Sequence, residues 1–229
     1  MSDHVTLREI VTNLLYPPRC LLCGTLCGWE ELLCESCQKQ QPQAGEFFWE
    51  PEVFGCRGIL WCARYEGAFR AGMEQLKFEG VRESLPLFGG MLTEAVRQSG
   101  LLPRLTAVTY VPMPPERERH RGYNQSKLLA QYLAGELGLP LREGVLARDG
   151  RAPAHAAAGR AARITLAKES YRAGERKLPP GEHILLIDDI ITTGATLENC
   201  AALLLAQGAE SVTAAAVLRT PRPEGKKLE

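Results

Sequence analysis

The sequence predicts an α/β protein with a mostly parallel sheet flanked by helices, preceded by a small cysteine-rich module. After about residue 55, β-rich runs alternate with amphipathic runs, which is the order typical of a parallel sheet covered by helices. The run at 183–187 is continuously apolar, as expected of a strand buried on both faces. Five of the eight cysteines lie between Cys20 and Cys37, which indicates a separate module near the N-terminus.

Composition excludes two broad classes of function. The 229 residues carry 27 Lys and Arg against 27 Asp and Glu, so the chain does not coat nucleic acid by bulk charge, although a local basic patch remains open. A spanning helix needs about 20 apolar residues, and no such run exists, so we expect no membrane insertion. Residues 1–16 contain charges where a signal peptide would have an apolar core, and they predict a short amphipathic helix. We therefore expect a cytoplasmic protein.

The chain divides into three segments. We expect an N-terminal helix and cysteine module at 1–45, an α/β domain at 46–220 and a polar tail at 221–229. A polar stretch at 38–51 reads as the linker between the first two segments. The predicted strands are 56–65, 107–111, 183–187 and 211–218. The predicted helices are 68–78, 84–99 with Ser84 as its cap, 124–137 and 197–207.

The cysteine module has the spacing of a metal site. Two Cys-x2-Cys turns, separated by ten residues, would direct four thiolates at one ion. In a reducing compartment this pattern favours structural zinc, with an iron–sulfur centre or reactive thiols as the alternatives. Cys27 is a fifth candidate, but four ligands already close such a site, so we interpret it as a bystander. The predicted ligands are Cys20, Cys23, Cys34 and Cys37.

Two adjacent carboxylates and a threonine-rich turn follow the apolar run at 183–187. Hydroxyls and backbone N–H groups at the start of a helix form a phosphate cradle, and Gly194 lets the backbone come close to the anion. Asp188 and Asp189 would repel that phosphate, so they make sense if they face ribose hydroxyls or a magnesium ion. The turn is neither a P-loop nor a dinucleotide fingerprint. A plain strand–turn–helix with a capping threonine is the alternative interpretation.

This segment closely resembles the 5-phosphoribosyl-1-pyrophosphate loop of type I phosphoribosyltransferases. The resemblance implies the type I phosphoribosyltransferase fold, with magnesium accompanying the ligand. It also implies that Asp188 and Asp189 hold the 2′ and 3′ hydroxyls of the ribose. The residues that it assigns to the 5′-phosphate are Thr192, Thr193, Gly194, Ala195 and Thr196.

Other segments are similar to the competence protein ComF family. These are the Val-Pro-Met-Pro run at 111–114, the Arg-Gly-Tyr-Asn-Gln run at 121–125, the Leu-Lys-Phe-Glu-Gly run at 76–80 and the paired cysteines. The resemblance implies a group of residues that binds pyrophosphate or substrate. The alternatives are a solvated basic run and a lysine that merely suits a helix C-terminus. The implied group is Lys77, Arg117, Arg119, Arg121, Asn124 and Gln125.

One stretch departs from the ComF pattern. Those proteins carry a Thr-x-x-Gln segment followed by an Arg and an Asn, which in related enzymes belongs to a mobile flap. Here the stretch at 151–164 is rich in alanine, and Ala152 and Ala154 have lost the polar groups. This favours inefficient catalysis or an altered acceptor. The possible flap residues are His155, Arg160 and Arg163.

The leading hypothesis is a ComF-like protein of DNA uptake that binds phosphoribosyl pyrophosphate or a nucleotide. A basic stretch of charge +4 at 148–172 could hold substrate phosphates or single-stranded DNA, and a competence helicase is a possible partner. One alternative is a nucleobase or amine phosphoribosyltransferase of salvage metabolism, which would release pyrophosphate. The other is a non-catalytic nucleotide-sensing adaptor that docks a DNA helicase, which would bind nucleotide without turnover.

Overall fold

The structure is a computed structural model that describes residues 17–28, 31–40, 42, 45–78, 81–148 and 171–221. Elements are numbered in order among these residues. The helices are α1 (Glu35–Gln40), α2 (Gly67–Phe78), α3 (Val81–Gln98), α4 (Pro115–Arg121), α5 (Gln125–Leu137) and α6 (Ala195–Ala206). The strands are β1 (Phe48–Pro51), β2 (Gly58–Arg64), β3 (Ala107–Tyr110), β4 (Leu146–Arg148), β5 (Tyr171–Ala173), β6 (His183–Ile191) and β7 (Ser211–Arg219). A 3-10 turn spans Leu102–Arg104.

The main sheet has five strands in the order β1-β2-β7-β6-β3. Strands β2, β7, β6 and β3 run parallel, and only β1 pairs antiparallel at one edge. The mostly parallel sheet predicted from the alternating pattern is therefore confirmed. Strands β4 and β5 form a separate antiparallel pair.

Two cores lie on the two faces of this sheet. One face is covered by α2, α3 and α5, with Met73, Phe88 and Leu129 fully buried in it. The other face is covered by α6 and by β4 and β5, around Cys200 and Leu204. Cys200 lies in the same buried cluster as Leu197 and Leu204 of α6. Within the part of the chain that the structure describes, no helix is both long and apolar enough to cross a membrane.

The cysteine module packs on the same core as α2. Leu22 and Leu33 are buried in the cluster that also contains Met73. Gly72 of α2 faces the module so closely that an added Cβ would lie 2.8 Å from Leu22 Cδ2 and 2.9 Å from the Leu21 carbonyl oxygen. Only glycine permits this approach of two backbones.

Several predicted boundaries are wrong in detail. Ser84 does not cap α3, because the helix begins three residues earlier and Ser84 is buried within it. The expected linker at 38–51 contains the end of α1 and all of β1, whose Phe48 stacks on Trp61 with ring centroids 4.0 Å apart. Cys56 precedes β2 instead of belonging to it, whereas Cys62 lies on that strand as expected.

Candidate functional site

The first candidate site is the cysteine cluster. The sulfur atoms of Cys20, Cys23, Cys34 and Cys37 all lie within 4.8 Å of one another. Cys23 Sγ and Cys34 Sγ are 3.6 Å apart, close to the roughly 3.8 Å that tetrahedral zinc with Zn–S bonds of about 2.3 Å requires. Hydrogen bonding with Thr25 lowers the pKa of the Cys23 thiol to about 6, which favours the thiolate that zinc binds. The donor set therefore fits a closed structural zinc site.

Cys27 lies beside this cluster without joining the group of four. Its Sγ is a donor to the carbonyl oxygen of Glu31 at 3.1 Å, and burial raises the pKa of its thiol. Four thiolates already close a structural zinc site. The interpretation of Cys27 as a bystander stays a prediction.

The second candidate site lies at the carboxyl end of β6. In open α/β sheets ligands bind at this end of the strands. Asp188 and Asp189 do not terminate the strand as expected, because β6 continues to Ile191 by pairing with Arg219 of β7. The two carboxylates are thus carried on a paired strand and not on a loop, with Asp188 in register with Ala216 of β7.

The environments of the two carboxylates differ. Asp188 is buried, and its Oδ1 accepts hydrogen bonds from Ser126 Oγ at 3.0 Å and from the Asp189 backbone N–H at 2.9 Å. Burial and the neighbouring Asp189 raise the pKa of Asp188 well above its usual value. Asp189 is partly buried and faces a cation, since its Oδ2 lies 3.6 Å from Lys77 Nζ.

Lys77 reaches this pair of carboxylates from the last turn of α2. Its ammonium group also lies 5.7 Å from the centre of the Tyr65 ring, a favourable place for a cation. Its side chain is only 18% exposed, so the ion pair with Asp189 is shielded from bulk water. The structure thus brings Lys77 to the predicted site, although 112 positions separate it from Asp189 in the sequence.

The threonine-rich turn joins β6 to α6. Gly194 is the N-cap of α6 with a left-handed φ of 84°, and no side chain caps the helix there. The Ala195 N–H donates to Thr193 Oγ1 at 3.4 Å. The Phe54 ring packs on Gly194, so an added Cβ would lie 2.1 Å from its Cζ. The N-terminus of a 12-residue helix, beside exposed Thr192 and Thr193 hydroxyls, can bind an anion.

The Arg-Gly-Tyr-Asn-Gln run forms the junction between α4 and α5. Asn124 caps α5 by accepting from the Ser126 and Lys127 N–H groups, and it donates to the Val111 carbonyl oxygen at 3.1 Å. Tyr123 Oη donates to the Leu76 carbonyl oxygen at 2.7 Å, which ties this junction to α2 next to Lys77. Asn124 is therefore a structural cap as well as a predicted site residue.

The remaining predicted site residues have no described contact with the two carboxylates. Gln125 is buried, and its Nε2 has no hydrogen-bond partner among the described residues. Arg117 and Arg119 are exposed on α4, whereas Arg121 is partly buried at its end. No described contact links these three arginines to Asp188 or Asp189, and their role stays a prediction. His155, Arg160 and Arg163 lie outside the described residues.

Sequence reasoning missed three residues that contact the site. Ser126 holds Asp188 across 62 positions, Phe54 packs on Gly194, and Tyr171 adjoins Thr196. Ser126 directly follows the recognised Arg-Gly-Tyr-Asn-Gln run, so its position was the one available indication. The sequence gives no such indication for Phe54 and Tyr171, because packing alone brings them to the turn.

Two family models and several relatives match the chain. Residues 128–229 match the phosphoribosyl transferase domain model, and residues 11–47 match the double zinc ribbon domain model. The sequence is 30% identical to "DNA utilization protein YhgH" of Salmonella typhi, over 88% of this chain and 84% of that protein. It is 26% identical to "Competence protein F" of Haemophilus influenzae, over 85% and 82%. A 50-residue segment is 52% identical to "Adenine phosphoribosyltransferase" of Brucella anthropi, over 21% and 28%.

The fold and the two sites define a phosphoribosyltransferase-type α/β protein with an N-terminal zinc ribbon. Within this class, the chain belongs to the family of DNA utilization protein YhgH and the competence protein ComF.

Proposed function

We propose that this protein binds 5-phosphoribosyl-1-pyrophosphate, or a nucleotide that shares its ribose phosphate, at the carboxyl end of β6. Asp188 and Asp189 accept hydrogen bonds from the ribose hydroxyls, and the turn at 192–196 binds the 5′-phosphate. Magnesium accompanies a diphosphate ligand, because carboxylate and phosphate oxygens are the ligands that it prefers.

One observation carries this proposal: two acidic side chains near the end of β6 lie shortly before α6, whose N-cap is a glycine without a capping side chain. The N-terminus attracts an anion, whereas the carboxylates repel it. A ligand with a phosphate at one end and hydroxyl donors at the other satisfies both groups. A bare anion site would gain from losing the carboxylates.

Titration calorimetry with and without magnesium tests the proposal. In Asp188→Asn/Asp189→Asn, phosphoribosyl pyrophosphate binding should weaken by roughly a hundredfold or more, because charge-assisted hydrogen bonds contribute about 1.5 to 3 kcal/mol each. Inorganic phosphate should bind as well or better, since two negative charges are gone. Glu143→Gln is the matched control, because it removes a surface carboxylate that pairs with Lys127. Unchanged phosphoribosyl pyrophosphate binding by the double variant would refute the proposal.

The biological role we propose is the handling of incoming DNA in the cytoplasm, which rests on the names of the relatives. Single-stranded DNA and a helicase are the proposed partners, and the cations at 148–172 are the proposed contact for the DNA backbone. Binding of a labelled single strand should weaken steeply between about 50 and about 200 mM salt, because bound cations displace counterions. Absence of binding at the lower salt concentration would exclude direct DNA contact. The proposed role would then depend on protein partners only.

A further inference from the structure

A second cation lies near the phosphate turn, on the opposite face of the sheet from α2. Arg148 ends β4, and Tyr171 is its register partner at the start of β5. The Arg148 guanidinium carbon lies 4.8 Å from the centre of the Tyr171 ring. Such stacking holds the planar guanidinium in one orientation. The two strands pack on α6, the helix that begins within the turn at 192–196.

One hydrogen-bond donor of Arg148, its Nε, is unused among the described residues. Its Nε is buried and has no hydrogen-bond partner, and no carboxylate pairs with its guanidinium among the residues that the structure describes. Two other arginines pair with carboxylates: partly buried Arg142 with Glu182, and buried Arg219 with Glu50 at 2.6 Å. A buried donor without an acceptor is costly. A side chain of this kind beside an anion site points to an anionic ligand.

The position of Tyr171 connects Arg148 to the turn. Burial raises the pKa of Tyr171 to about 12, the charge of Arg148 opposes that shift, and Asp188 adds to it. Hydrogen bonding with Thr196 also acts on the Tyr171 hydroxyl. Tyr171 therefore adjoins both Arg148, which stacks on its ring, and Thr196 of the turn.

We infer that Arg148 donates hydrogen bonds to the phosphate bound at the 192–196 turn, with Tyr171 as the residue that positions it. This inference rests on the proposed function, which names the ligand. The site needs such a charge, because Asp188 and Asp189 repel the phosphate and Lys77 is already paired with Asp189. A guanidinium supplies two parallel donors to a phosphate and stays charged at every physiological pH.

The test uses calorimetry on the full chain with three probes: phosphoribosyl pyrophosphate, inorganic phosphate and an unphosphorylated nucleoside. Arg148→Gln should weaken both phosphate probes by about ten- to a hundredfold and leave nucleoside affinity unchanged. Arg148→Lys should fall between, because it keeps the charge and loses the planar fork. Arg176→Gln, an exposed arginine three positions beyond β5, is the matched control and should match the wild type.

The outcomes separate this inference from the proposed function. Equal affinity of Arg148→Gln and wild type for both phosphate probes overturns the inference. An equal loss of nucleoside binding also overturns it, because Arg148 would then only support the fold. If the wild type binds inorganic phosphate and no phosphoribosyl pyrophosphate, the proposed function fails. The effect of Arg148→Gln on phosphate affinity then still decides whether Arg148 binds the phosphate. If the wild type binds neither, both fail.

Discussion

Asp188 combines burial with a neighbouring negative charge, and this combination has a thermodynamic consequence. Its pKa in the folded chain is raised by burial first and by Asp189 second. The folded state therefore holds a proton more tightly than the unfolded state. Stability from this group is full below the ordinary pKa of an aspartate and falls as pH rises toward the folded-state pKa. At neutral pH the residue costs stability, as expected of a group retained for ligand binding.

Asp188→Asn should therefore be more stable than the wild type at neutral pH. The amide can still accept hydrogen bonds from Ser126 Oγ and the Asp189 N–H, and it carries no charge to desolvate. The gain should shrink as pH falls and vanish below about pH 3, where the aspartate is protonated in both the folded and the unfolded states. Urea unfolding across this pH range measures it. Asp189→Asn is the control and should show no such gain, because it breaks the ion pair with Lys77.

At the scale of elements, the turn between β6 and α6 depends on a distant loop. Phe54 lies between β1 and β2 and adopts a positive φ of 55°, which is unusual for a bulky residue. Its ring lies where a Gly194 side chain would be. Both residues thus take uncommon backbone conformations at one contact, and the loop limits the freedom of the phosphate turn.

Gly194→Ala should lower the free energy of unfolding by more than the left-handed backbone alone explains, which is about 1 to 2 kcal/mol. The extra loss comes from the clash with Phe54, so Gly194→Ala should cost less in a Phe54→Ala background. A double-mutant cycle in urea measures this coupling. Gly138→Ala provides the backbone cost by itself, because Gly138 has a φ of 67° and open space around it. Additive effects of Gly194→Ala and Phe54→Ala would show that the contact does not constrain the turn.

Elements with strong periodicity were predictable, and their ends were not. The apolar run at 183–187 located β6, but pairing with β7 extends the strand to Ile191, and pairing is not visible in a local pattern. Short α4 was hidden because its seven residues are mostly charged and none is buried. Ser84 looked like a cap by residue type, yet packing starts α3 earlier. The site followed the same rule: Asp188 and Asp189 stood in a recognisable run, while Ser126 contacts Asp188 through tertiary packing alone.

At the scale of the whole molecule, the zinc ribbon shares its core with the helix that carries Lys77. Cys34→Ser should release the metal and destabilise the module, since structural zinc contributes on the order of 10 kcal/mol to folding a small module. Elemental analysis should find one zinc per wild-type chain and none in Cys34→Ser. Cys27→Ser is the matched control and should retain zinc and melting temperature. Zinc that persists in Cys34→Ser would contradict the assignment of the four ligands.

The close approach at Gly72 also bears on where this protein can be cut. Removing residues before position 46 would leave a bare backbone strip on α2 where Leu21 and Leu22 now lie, and it would expose the apolar side chains around Met73 to water. Exposed patches of this kind promote aggregation. A shortened chain that kept only the phosphoribosyltransferase-like segment should therefore be prone to self-association, so excision cannot cleanly separate the two regions matched by different family models.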